Sequence, residues 1–424
     1  MASLLIKGGR VICPAQGLDR VADLLIRDGR IAGIGTFQSA DWVIEAAGKI
    51  VTPGLIDIHV HFREPGNENE ETIASGSAAA VAGGFTSVAT MPNTDPPVDD
   101  EPSVAFQIRQ GEAVGLARIL PIGCVSAGRR GEGLAEMAQM ARAGAVAFSD
   151  DGDCVANSRL MRLALQYARM LDKPIIDHCE DPALSGKGVM HGGAVSTRLG
   201  LPGIPSESEE VMVARDLLLA EATGGPLHIA HVSTAGSVRL VREAKRRGLP
   251  VTCEVTVHHL VLTDEAAATF ETNCKIKPPL RTKADRDALR EALAEGVIDC
   301  IVSDHAPHTT EEKDIEFSLA AFGALGLEVV VPLVVTHLVE PGVLSWARAV
   351  EALSWRPARV LRLEAGTLEV GRPGDVTVID PQAEWTIDVN AFRSKSRNCP
   401  YHGWTVRGRV VATVVGGEVK FEAD

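Results

Sequence analysis

The chain is expected to fold as a (β/α)8 barrel, an α/β architecture, carrying a small β-domain built from both of its ends. Three observations predict this. Short apolar, β-branched runs recur between helical patterns at 50–62, 86–93, 117–125, 145–151, 174–180, 227–233, 251–259 and 299–305. Strand–helix alternation repeated in this way is the pattern of a closed parallel barrel. The two ends instead alternate in short strands punctuated by glycine. Lastly, histidines and aspartates crowd at the C-terminal ends of several runs, where barrel enzymes carry their chemistry. A doubly wound open sheet is the competing arrangement. It is weakened because no Gly-x-Gly-x-x-Gly follows the first run.

Taken in order, residues 2–49 read as hairpins, with Leu4-Leu5-Ile6-Lys7-Gly8-Gly9 and Asp23-Leu24-Leu25-Ile26-Arg27-Asp28-Gly29 as strand–turn units. The barrel runs follow. Between them, 68–82 and 132–143 carry small or apolar residues at helical spacing, and 235–247 and 283–294 are amphipathic. The segment 206–222 opens with Ser206 and Glu209, a capping-box pattern. Residues 366–421 return to strands and glycines. Neither end can bury a sheet face alone. The expected division is therefore 1–51 with 360–424 as one small β-sandwich domain, and 52–359 as the barrel.

Composition narrows the function classes. The net charge of −14 offers no basic surface to nucleic acid or acidic lipid. The N-terminus lacks the long apolar core of a signal peptide, and the apolar stretch 326–339 is interrupted by Glu328, Pro332 and His337. Eight cysteines with no Cys-x-x-Cys pair read as reduced, mostly buried thiols, which points to a cytoplasmic protein.

The site is assembled from strand ends. His59 and His61 close the first run; alternate residues on a strand face one side, about 6–7 Å apart. That suits two imidazoles on one metal ion. The fourth run ends in Ser149-Asp150-Asp151-Gly152, the fifth in Asp177-His178-Cys179-Glu180, the sixth in His231 and the eighth in Asp304-His305-Ala306-Pro307-His308. Four histidines and two aspartates exceed the needs of one ion, so two are expected. Nitrogen and oxygen ligands favour zinc, with manganese or cobalt as substitutes. Two cations about 3.5–4 Å apart need an anionic bridge. No lysine occurs between Lys49 and Lys173, so a carboxylate must serve. Asp151 or Asp150 is the candidate, and Asp151 is preferred because Gly152 lets the chain turn away. Arg63 stands two residues beyond His61, on the same side, and could clamp a substrate carboxylate.

These motifs, together with Phe62-Arg63-Glu64-Pro65-Gly66, Met91-Pro92-Asn93-Thr94 and His228-Ile229-Ala230-His231-Val232-Ser233, resemble class I dihydroorotases of the amidohydrolase superfamily, collinearly over nearly the whole chain. The sequence is similar to the bacterial branch in which an aspartate replaces a carbamylated lysine. The resemblance implies reversible interconversion of dihydroorotate and N-carbamoyl-L-aspartate in pyrimidine synthesis. It implies two Zn2+ ions, one on His59 and His61 and one on His178 and His231, with Asp151 between them. Asp304 is then a ligand and the general acid/base acting with a zinc-activated water. Arg63, Asn93, Lys277, His308, Phe322 and Gly323 are implied as substrate contacts, and His305, His258 and His259 as structural. Lys277 stands where the family usually has asparagine, and Ala321 where proline is common.

Hydantoinase, dihydropyrimidinase and allantoinase are the neighbouring activities; the missing lysine and the presence of Arg63 count against them. Some relatives have lost ligands and act as scaffolds for aspartate carbamoyltransferase; here no ligand is lost. A homodimer is expected on base rates, with association to that transferase open. The partner class is a small molecule, with no nucleic acid and no membrane.

Overall fold

The computed structural model describes residues 3–423. Eight parallel strands lie side by side in chain order: β1 (Leu55–Val60), β2 (Phe85–Thr90), β3 (Arg118–Gly123), β4 (Ala147–Phe148), β5 (Ile175–Asp177), β6 (Leu227–Ile229), β7 (Val251–Thr256) and β8 (Cys300–Val302). The first and last meet just past their ends. Val60 bridges His305 in parallel, the His61 amide donates to the His305 carbonyl at 2.9 Å, and the Ser303 amide donates to Asp57 Oδ2 at 2.9 Å. Every residue of β1 and β2 is buried, as both faces of a barrel strand must be.

The helices α1 (Ile73–Ala82), α2 (Glu101–Val114), α3 (Met137–Ala143), α4 (Ser158–Leu171), α5 (Glu207–Thr223), α6 (Ala235–Arg246) and α7 (Lys283–Ala294) follow the first seven strands in turn. Local chemistry starts most of them. Thr72, Asp100, Asn157, Thr234 and Thr282 each accept an amide hydrogen bond at a helix N-terminus. In α1, Gly76 permits close packing, since a Cβ there would meet the Phe62 ring at 2.4 Å. Inside the barrel, Ile56, Ala89, Ile122, Ala147, Ile176 and Cys300 form one apolar cluster, joined by Ala358, Val360 and Leu361.

Strands from the two chain ends join in one eight-stranded sheet around a separate core that includes Leu4, Val11, Leu24, Val51, Val376 and Val414. Ile50–Pro53 links the halves, pairing with Ser3–Cys13 on one side and Val376–Thr386 on the other. Gly8 and Gly9 make this possible. Gly8 sits at φ +72°, the ladder shifts between Ile6 and Gly9, and the strand changes partner from Trp42–Glu45 to Ile50–Pro53.

Three local expectations are corrected. The run 145–151 is a strand only over Ala147–Phe148, because Ser149 to Asp151 already form the ligand loop. The run 251–259 ends at Thr256, whose hydroxyl accepts from the His259 amide and starts a short helix, Val257–Val261; His258 and His259 are helical, not strand-end, residues. Ser206 makes no capping hydrogen bond and has helical φ and ψ. Glu209 instead turns inward to accept from the amides of Ser233 and Thr234.

Candidate active site

Six side chains converge over the C-terminal ends of the barrel strands. Two groups, His59–His61–Asp151 and Asp151–His178–His231, each place their ligand atoms within 4.8 Å of one another, and Asp151 belongs to both. Asp151 Oδ1 lies 3.4 Å from His59 Nε2, 3.3 Å from His231 Nε2 and 3.6 Å from His178 Nδ1, while Oδ2 lies 3.5 Å from His61 Nε2. Asp304 Oδ1 completes the first group, 3.1 Å from His61 Nε2 and 3.6 Å from His59 Nε2. Asp150 points elsewhere. Its Oδ1 accepts from the amides of Val125 and Ser126, holding the β3 and β4 loops together.

Buried carboxylates and an amide orient the imidazoles. Glu254 on β7 lies 2.5 Å from His59 Nδ1 and 3.1 Å from His228 Nε2. Asn93 Oδ1 lies 2.8 Å from His61 Nδ1. Both acceptors draw a proton to Nδ1 and leave Nε2 turned towards the site, which is how metal-ligating histidines are presented. His59 Nε2, Asp151 Oδ1 and His178 Nε2 are buried without a hydrogen-bond partner. Such atoms are costly unless something else satisfies them. A divalent cation pair fits this donor set of imidazole nitrogens and carboxylate oxygens. The backbone is also unusual here: His231 (φ +27°) and Asp304 (φ +46°) are both left-handed, the kind of strain that concentrates at functional sites.

Electrostatics sharpen the arrangement. Burial alone would raise the Asp151 carboxyl, but the His59 charge and the close His178 and His231 imidazoles hold it well below the usual carboxylate range. Burial likewise opposes ionisation of Asp304, and the His61 hydrogen bond with neighbouring imidazoles outweighs it. Burial disfavours an ionised Glu254 too, yet His59 and His228 bring its pKa down to about 2. At neutral pH the three carboxylates are charged.

The remaining predicted residues form one rim. Arg63 Nε donates to the Pro307 carbonyl at 3.1 Å and lies 3.1 Å from Glu70 Oε2. His308 Nδ1 faces the same Glu70 oxygen at 3.3 Å, and its Nε2 lies 2.9 Å from the Phe322 carbonyl. The Gly323 amide donates to the Lys275 carbonyl at 2.9 Å. Two buried lysines staple that loop: Lys275 donates to the carbonyls of Ser318 and Ala320, and Lys313 to those of Ala321 and Gly323. Lys277 sits across the mouth, its Nζ 2.8 Å from Glu180 Oε1 and 5.8 Å from the Phe322 ring centre. Asn93 is engaged with His61 rather than standing on this rim.

Comparison with known proteins covers the whole chain. A dihydroorotase of Pelotomaculum thermopropionicum is 55% identical over 418 residues, spanning 98% of both chains, and one from Geobacter sp. (strain M21) is 51% identical over 424 residues, spanning 99% of this chain and 100% of that one. The chain belongs to the dihydroorotase family. The profile of the family described as Dihydro-orotase-like matches residues 48–237, the part that holds five of the six convergent residues, all but Asp304. Among solved structures, an L-hydantoinase (dihydropyrimidinase) from Arthrobacter aurescens superposes with a TM-score of 0.88 at 28% identity, covering 99% of this chain and 96% of that one. A D-hydantoinase (dihydropyrimidinase) from Thermus sp. gives 0.82 at 26%, with the same coverage.

In this dihydroorotase-family chain, sequence reasoning missed Glu254, Asp57 and Asn398. Asp57 Oδ1 accepts from the His59 amide at 3.0 Å while its other oxygen holds β8. Asn398 joins two rim loops, donating to the carbonyls of Ala306 and Gly323 and accepting from the His308 amide at 3.1 Å. The available signal for Glu254 and Asp57 was a lone carboxylate inside an apolar strand, which is costly to bury without a partner. For Asn398 there was none.

Proposed function

We propose that this chain is a dihydroorotase of the class I branch that uses a native aspartate, Asp151, where relatives carry a carbamylated lysine. The observation that carries this reading is one buried carboxylate shared by two histidine pairs, beside an arginine–histidine rim. The reaction is the reversible hydrolysis of (S)-dihydroorotate to N-carbamoyl-L-aspartate. His59 and His61 would hold one Zn2+, His178 and His231 a second, with Asp151 between them and Asp304 completing the first group. When bound, the cations supply a water activated at neutral pH and polarise the scissile carbonyl.

The chain's own groups do the rest. Asp304, ionised at neutral pH and next to His61, takes the proton of the attacking water and hands it to the ring nitrogen as the carbon–nitrogen bond breaks. In the synthetic direction it returns that proton to water. Arg63 presents its guanidinium to the substrate carboxylate, and His308 would join it by exchanging the Phe322 carbonyl at Nε2, with Glu70 beside both. Asn93 serves through His61, and Lys277, Phe322 and Gly323 border the ring. We keep the division 1–51 with 360–424 and 52–359, with the strand Ile50–Pro53 crossing its first boundary and Asn398 reaching from the second part into the rim. We further place the enzyme in the cytoplasm as a homodimer able to associate with aspartate carbamoyltransferase. No helix among the described residues is long and apolar enough to cross a membrane.

The test is side-by-side turnover of dihydroorotate, dihydrouracil, hydantoin and allantoin by zinc-loaded protein, with metal content measured on the same sample. Turnover of dihydroorotate alone, abolished by Arg63→Met with zinc retained, is expected. Preference for an uncharged ring would sink this assignment in favour of the hydantoinase-type reading.

A further inference from the structure

We infer that Glu70, His308 and Glu312 form a further divalent-cation site, on the rim rather than in the centre, for an exchangeable ion such as manganese. One ligand atom from each side chain lies within 4.8 Å of the other two. His308 Nδ1 is 3.3 Å from Glu70 Oε2 and 3.6 Å from Glu312 Oε2. One imidazole nitrogen and two carboxylate oxygens suit a first-row divalent cation whose shell water completes.

Three acceptors face one another here with no donor between them. His308 Nε2 lies 2.9 Å from the Phe322 carbonyl, closer than its 3.3 Å to Arg63 Nη2. A carbonyl only accepts, so the ring proton belongs on Nε2, and the neutral ring turns the lone pair of Nδ1 towards the two carboxylates. Glu70 Oε2 is close to Arg63 Nε, but that nitrogen has a single hydrogen and donates it to the Pro307 carbonyl. Glu70 Oε2 and His308 Nδ1 are accordingly both buried without a hydrogen-bond partner, and Glu70 is only 7% exposed. Acceptors gathered in this way repel one another unless positive charge sits among them.

Another group with the same spacing, Asp177–Cys179–Asp216, already has its cation: Arg215 Nη2 is 2.7 Å from Asp216 Oδ1 and 3.6 Å from Asp177 Oδ2. The rim group instead opens outward. Glu312 is fixed by the Thr309 amide, which donates to its Oε2 at 2.8 Å, yet its side chain is 41% exposed. A cavity of about 420 Å³ lined by His308, Thr309 and Asp314 adjoins it. An ion therefore enters from solvent and exchanges with it more readily than in the buried centre. A cation on Nδ1 keeps Nε2 a donor, the form in which His308 meets an anionic substrate. That consequence rests on the dihydroorotate reading; the site itself does not.

The test is Mn2+ binding to the full chain, followed by electron paramagnetic resonance, after the protein has been loaded with zinc and freed of loose metal. Zinc is counted on the same samples, and circular dichroism checks folding. Mn2+ is expected to bind wild type at least about tenfold more tightly than Glu312→Gln, with equal zinc in both, since losing even an outer partner of a metal site costs that much. Asp314→Asn removes the same charge from an exposed position two residues on, and should bind Mn2+ as wild type does. Failure of wild type to bind Mn2+ overturns the proposal and leaves a proton on Nδ1 in its place. Equal binding by wild type and Glu312→Gln overturns it as well. So do equal losses in Glu312→Gln and Asp314→Asn, which would report diffuse surface charge. Each outcome is a difference in binding between variants, so it stands whatever reaction the centre catalyses.

Discussion

The histidine–aspartate centre and the arginine–histidine rim lie side by side at the barrel mouth, yet they are built differently. The centre stands on or just beyond strand ends, and His59 and His61 are each fixed from behind, by the buried Glu254 carboxylate or the Asn93 amide. Its geometry follows from barrel closure. The rim stands on loops, and its donors are held mainly by backbone carbonyls: Arg63 on Pro307, His308 on Phe322, Lys275 and Lys313 on the 318–323 segment. A centre set by strand register tolerates little change. A rim set by loop contacts can be revised, and Lys277 and Ala321 both belong to it.

Asp304→Asn should break the comparison most sharply. The centre would keep its metals, measured by atomic emission, while turnover falls by about 10²–10⁴-fold through loss of the acid/base group. Retained turnover would remove Asp304 from proton transfer. Next comes Glu254→Gln, which touches no substrate. It should weaken zinc affinity about 10–100-fold in a chelator competition, because His59 loses its orienting carboxylate. Unchanged affinity would mean the centre does not depend on its backing. Glu70→Gln acts on the rim alone: KM for dihydroorotate should rise by about tenfold, with kcat and zinc content nearly unchanged, as Arg63 and His308 lose their shared anchor. A change in metal content would place Glu70 in the centre instead.

The smallest effect concerns pH. Burial, reinforced by Lys275, lowers the Lys313 ammonium from 10.5 to about 7. A depressed lysine lets the unfolded chain bind more protons between these values. Its stabilising effect is therefore complete above about 10.5 and is lost as pH falls towards 7. Thermal midpoints of wild type should rise from pH 7 to 9 more steeply than those of Lys313→Met. Equal slopes would mean that the loop staple does not titrate there.

Much of this was legible in the sequence, and the limits have physical causes. Apolar runs report burial on both faces, so the strands of the barrel could be read in order. They overrun where the chain stays buried after leaving the sheet, as at Ser149 to Asp151 and at His258 and His259. The convergent histidines and aspartates were legible because strand ends of a barrel must meet. Their supporting partners were not: His59 and Glu254 are 195 residues apart, and nothing in either neighbourhood names the other. Ser206 and Glu209 had the spacing of a local cap, but the burial of Glu209 against the loop after β6 overrode it.

The seam of the barrel has a consequence for synthesis. His61 and Asp304 sit on opposite sides of the joint between β1 and β8, and 243 residues separate them in sequence. The first histidine pair emerges from the ribosome early, but its group of ligands is incomplete until the eighth strand is made and docks. Asp151, His178 and His231 are all made by the sixth strand, so only the first group would gain its last ligand as the ring closes. A cation bound by the first group would then act as a rivet across the joint, so metal starvation should leave newly made chains with a looser seam between the first and last strands.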